Sequence, residues 1–112
     1  MTAFRIFLAT IFVVIAIYTA IVGVNHGYGL FAVFFGDMAA MGWPGQFNLD
    51  FMFMLALSAL WVSWRHQFSG VGLLLGLLAF VGGASFLSIY LFIVAGQSNG
   101  NAQELLLGRA RV

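Results

Sequence analysis

Apolar positions along this chain fall into three long runs and one short one, separated by a few polar residues. Residues 70–96 carry no charged side chain, and ~20 apolar residues suffice to cross a bilayer as helix. Within that run Gly72, Gly76, Ala79 and Gly83 recur at steps of four, three and four. On a helix these positions share one face, which Phe86 and Tyr90 extend. Lipid supplies no hydrophobic force between helices, so a stripe of small residues marks where two backbones approach closely.

The first run, Ile6–Val24 behind Arg5, predicts a span over about residues 4–24. A signal peptide would show an apolar core of about 7–15 residues and then a small-x-small cleavage site. This run is longer and no such site follows, so the sequence predicts a span that stays attached. Ala9, Ala16, Ala20 and Gly23 share one of its faces. The stretch Asn25-His26-Gly27-Tyr28-Gly29 should end the helix. Residues 30–41 are apolar but too short to span. As a helix they set Leu30, Phe31, Phe34, Phe35, Met38 and Met41 on one arc, the pattern of a short interfacial helix, with a loop as the alternative.

Trp43-Pro44-Gly45 reads as a turn, with Trp43 anchored at headgroup depth. Asn48 is placed as an N-cap, Phe47 and Met52 as a hydrophobic staple across it. The second span then covers about residues 49–66, and Trp61, Trp64 and Arg65 mark its exit. Met52, Ala56, Ala59 and Ser63 form its narrow face. The tail, residues 97–112, is polar and predicts a short surface helix around Glu104–Leu107. The expected fold class is all-α, an integral membrane protein of three transmembrane helices and one interfacial helix, as a single domain over 1–112.

Composition sharpens this picture. The chain is 63% hydrophobic and only 6% charged, against about a quarter charged in ordinary globular domains. Lipid must therefore cover most of its surface. It holds no lysine, and four arginines nearly balance three acids, so a nucleic-acid footprint and a polybasic lipid-binding cluster are both absent. With no cysteine, disulfides, thiolate metal sites and cysteine nucleophiles drop out. Three crossings would put Arg5 and Arg65 on one side and Arg109 and Arg111 on the other. The first pair lies nearer the membrane, which favours the N-terminus cytoplasmic and the C-terminus outside; the expected location is a bacterial inner membrane.

Candidate chemistry is sparse. Asp50 is an acid at the edge of a span, a pattern that suits a proton or ion site. Two residues after the Asn48 cap it would equally serve as a first-turn carboxylate at the helix's positive end. His26 and His66 each follow a helix end, on opposite sides of the membrane, so they cannot clamp one metal together. Either could hold a haem or a pigment magnesium alone, or cap helix carbonyls. The 13 phenylalanines could line a carotenoid, quinone or pigment surface, or face lipid. No serine has a histidine and an acid at triad spacing, and no glycine pattern follows a strand as a phosphate loop does.

The elements His26-Gly27-Tyr28-Gly29-Leu30, Phe47-x-x-Asp50, Trp61 and Gly83-x-Ser85-Phe86-Leu87 resemble an uncharacterised family of small bacterial membrane proteins, a domain of unknown function. That resemblance implies three spans and supplies no activity. The sequence thus predicts a non-catalytic accessory subunit of a larger membrane complex, respiratory or photosynthetic complexes being hosts of that kind. Its expected partners are lipids and other transmembrane chains, or copies of itself. The alternatives are an oligomeric transporter or channel using Asp50, and a pigment or haem binder through His26 or His66.

Overall fold

The computed structural model describes residues 2–111, and among them every regular element is helical. Helix α1 spans Thr2–His26, α2 Leu30–Ala39, α3 Trp43–Arg65, α4 Gly70–Gln97 and α5 Ala102–Leu107, followed by a 3₁₀ turn at Arg109–Arg111. As the apolar runs predict, α1, α3 and α4 are long and apolar enough to span a membrane, and a shorter helix lies between the first two.

Helix α3 begins six residues earlier than the Asn48 cap predicts. Gly42 is its N-cap and Pro44 sits in its first turn. Proline fits there because its ring presets a helical φ and its missing N–H would be unpaired anyway. Trp43-Pro44-Gly45 is thus helix rather than turn, and Asn48 is interior. Its side-chain amide donates to the Phe34 carbonyl at 3.1 Å and ties α2 to α3. Gly45 lets the two helices approach closely, since a Cβ there would strike the Asp37 and Met38 backbone.

The path of α4 decides the architecture. At Gly83 the backbone leaves helical geometry, with φ 58° and ψ −138°, a region open essentially to glycine alone. Down to that point α4 runs antiparallel to α3. Gly72 lies against the Ser63 carbonyl and His66, Gly76 against the Ser63 hydroxyl and the Ala59 carbonyl, and Gly83 against Phe51 and Leu55. Beyond it the chain returns, for the Tyr90 hydroxyl is 2.6 Å from His66 Nε2. Gln97, at the end of α4, accepts a hydrogen bond from Arg109 in the tail. Helix α4 is a hairpin of two legs, each rising about 20 Å.

Gly72, Gly76, Ala79 and Gly83 are all buried. The core sits where α3, both legs and α5 meet, built from Val62, Ala79, Tyr90, Val94, Ala95 and Leu105. Helix α1 docks on the return leg, with Leu8 and Phe12 beside Ser88, Ile89 and Phe92. Its small stripe is not the docking face. Ala16 and Ala20 are exposed, Ala9 is exposed on the rim of the groove against α4, and Gly23 lies against the ring of Tyr28. Contact through large side chains suffices here because Ser88 supplies the small partner on α4. On α3, Ala59 and Ser63 face α4, whereas Ala56 is exposed on the rim of a shallow groove.

A hairpin also moves the C-terminus. Arg111 donates to the Trp64 carbonyl, Arg109 to that of Gln97, and Arg5 lies beside Gly96. All four arginines therefore gather at one end of the molecule. The expectation of Arg109 and Arg111 opposite Arg5 and Arg65 fails because α4 leaves and returns on the same side.

Replacing Gly83 with Ala should cost about 1–3 kcal/mol, the cost of holding an L-residue at that φ and ψ. Gly36→Ala, where a Cβ meets nothing, should be neutral or slightly stabilising. Thermal unfolding of both variants in one detergent checks the contrast.

Candidate functional site

The polar side chains concentrate at the arginine end, and α3 positions them. Arg65 is its last residue and His66 its C-cap. Gln67 and Phe68 then take left-handed φ values of 61° and 53°, turning the chain within four residues into the Ser69 cap of α4. Ser69 Oγ accepts from the Gly72 amide at 3.1 Å.

Arg65 fans out over three partners. Its Nε donates to the Leu105 carbonyl at 2.7 Å, one terminal nitrogen to the Glu104 carbonyl at 3.3 Å, and the other to the Tyr90 hydroxyl at 3.2 Å. Glu104 and Leu105 lie in the last turn of α5, where carbonyls run short of helical donors, although the Glu104 carbonyl also accepts from the Gly108 amide at 2.8 Å. The guanidinium thus closes the C-terminal end of that helix. Trp61 adds a third bond, Nε1 to the Leu106 carbonyl at 3.0 Å. At the other end of α5, Asn101 accepts from the Glu104 amide. Arg111 lies over the Trp64 ring, 3.9 Å from its centroid.

Tyr90 is the hub between the legs and this strap. Arg65 donates to its oxygen, and the same hydroxyl is hydrogen-bonded to His66 Nε2 at 2.6 Å. Phe86 stacks on the Tyr90 ring at 5.9 Å and Trp61 meets it edge-on at 6.1 Å. Burial, and secondarily the charge of Arg65, hold His66 below its ordinary value of 6.5. Held below 6.5, it is mainly neutral at pH 7.

A cleft of about 320 Å³ opens between the strap and the helix ends, lined mainly by Arg65, His66, Gln67, Gln97, Glu104 and Arg109. Its two cations are already engaged. Arg65 serves the tail, and Arg109 pairs with Glu104 and donates to Gln97. The Arg109–Glu104 pair is largely exposed on the arginine side, and such pairs contribute little. The cluster fastens the C-terminal segment to the ends of α3 and α4.

The remaining candidates lie apart. His26 is exposed at the far end of α1, so the two histidines sit at opposite ends, as their places in the sequence predict. Trp43 is exposed at that same far end, and Trp61 and Trp64 lie at the arginine end. Asp50 is exposed on the second turn of α3, not in its first turn, and among the described residues it has no hydrogen bond or ion pair. Asp37, to which periodicity gives no role, sits half-buried on α2 at the crossing with α3. No group of three metal-ligating side chains occurs among the described residues. Comparison with known proteins finds no matching family model, no matching characterised protein and no matching solved structure.

A neutral native His66 sets the sign of a pH effect. Below pH 6.5 the unfolded chain binds a proton that the folded chain resists, so stability rises with pH. Thermal midpoints should be flat above about pH 7.5 and fall as pH drops through 6.5, and His66→Gln should flatten that fall. Arg65→Gln should free the tail, seen as faster tryptic cleavage after Arg109 with the helical circular dichroism of the spans retained.

Proposed function

We propose that this chain is a non-catalytic accessory subunit of a larger assembly in a bacterial inner membrane. In this reading α1 and α3 cross the bilayer, and α4 enters and leaves from the side that holds the arginines. Four arginines at one end against none at the other favour the cytoplasm for that end, with the start of α1 and the tail after Gln97 on the same side. Respiratory and photosynthetic complexes are hosts of the expected kind.

The observation that carries the reading is the tip of the hairpin. Where a helix reverses, the last carbonyls of one leg and the first amides of the next lose their helical partners. Lipid cannot satisfy such groups, so irregular backbone at membrane depth is tolerated only inside protein or beside water. Phe51 and Leu55 cover Gly83, but Val81, Gly82 and Ala84 are exposed. The legs are each too short for a hydrocarbon core of ~30 Å, which leaves this tip within the bilayer. Another protein chain over the tip resolves the conflict. The chain's own chemistry adds nothing that competes with a holding role, since its polar cluster is spent on fastening the tail.

A photocrosslinking residue at Val81 tests this in native membranes. Protein adducts are expected at Val81 and not at Val24, which is exposed at the end of α1. Lipid adducts alone at both positions, with the purified chain monomeric in mild detergent, would contradict the reading.

A further inference from the structure

The outward face of α3 carries a second mark of a missing neighbour. Asp50, Met54, Leu57 and Trp61 follow one another at steps of four, three and four, flanked by Phe53 and Leu60. On a helix such positions form one continuous seam. Asp50, Phe53, Met54, Leu57 and Leu60 are exposed, while Trp61 is held by the tail strap through Leu106. The seam thus begins just below the strap and runs toward the far end. Apolar side chains on it suit lipid, but Asp50 does not. It lies seven residues beyond Trp43, about 10 Å inward along the axis, and has no partner among the described residues.

We propose that this seam docks a transmembrane helix of a different chain, carrying a lysine or arginine level with Asp50. The inference rests on the accessory-subunit reading and names the partner's chemistry. Ionisable groups within the bilayer pair with one another as a rule, and a carboxylate on an apolar seam calls for a cation. A parallel second copy cannot supply one. All four arginines lie at the opposite end, and the far end offers only His26. An antiparallel copy would place four arginines outside, against the charge rule that orients such chains.

The test uses the full chain, free of native cysteine, labelled at one engineered cysteine and reconstituted in phosphatidylcholine vesicles. Three synthetic Leu/Ala helices with Trp ends serve as probes: one with a lysine level with Asp50, one with leucine there, one with the lysine moved seven residues along. Energy transfer should report about tenfold tighter association for the level lysine, in line with polar pairing between membrane helices. Asp50→Asn should erase that advantage, while Asp50→Glu and Asp37→Asn keep it. Equal binding of all three probes, or an unchanged advantage in Asp50→Asn, would overturn the proposal. So would energy transfer between two labelled copies that Asp50→Asn abolishes, which would make the occupant a second copy. Loss of the advantage on adding phosphatidylethanolamine would assign Asp50 to lipid ammonium groups and overturn it as well. A Val81 adduct with indifferent peptides sinks only the partner's chemistry, and lipid-only adducts with a lysine-selective seam sink only the accessory role.

Discussion

A backbone reversal at Gly83 governs the arrangement of everything else in this molecule. With φ near +58° and ψ near −138°, it needs a residue without a Cβ, and it turns one long apolar helix into two short legs. The return leg brings Tyr90, Val94 and Ala95 back to the end of α3, where they bury Val62 and form the core with Leu105. Without the reversal that core would be pulled apart along about 40 Å of helix. The arginines would also divide between the two ends.

Two kinds of contact hold the hairpin closed. Within the membrane-length region, Gly72 and Gly76 let the first leg press against the Ser63 and Ala59 backbone, where dispersion and close approach replace the hydrophobic drive that lipid removes. At the polar end, Arg65 and Tyr90 link α3, the return leg and α5 in one hydrogen-bonded unit. The first contact fixes spacing and the second fixes direction. The tail is tied down because Arg65, Trp61 and Asn101 satisfy the end groups of a six-residue helix that would be marginal by itself.

The legible part of the fold came from period and length. Apolar runs marked the three long helices, and a short run marked α2. The Gly72–Gly83 spacing marked the buried stripe of α4. The reversal was not legible, because a glycine that permits close packing and one that permits a positive φ are the same letter in the same apolar run. Read as one straight helix, α4 sends the tail after Gln97 to the opposite end, and the Arg65–His66–Tyr90 network, which joins residues 24 and 25 apart, leaves no mark in the sequence. Trp-Pro-Gly reads as a turn and so sets the start of α3 too late, whereas Pro at the first helical turn is also a start signal. On α1 the alanine stripe suggested a contact that Leu8 and Phe12 make instead. A small residue permits approach without requiring it.

Accessibility of single cysteines in sealed, oriented vesicles tests the hairpin most directly, since the native chain has none. Cysteines at Ser69 and Asn99, before and after α4, should react with a membrane-impermeant maleimide from the same side. One at Tyr28 should react from the other. Labelling of Ser69→Cys and Asn99→Cys from opposite sides would mean that α4 passes straight through, and the reversal at Gly83 would not exist in the membrane.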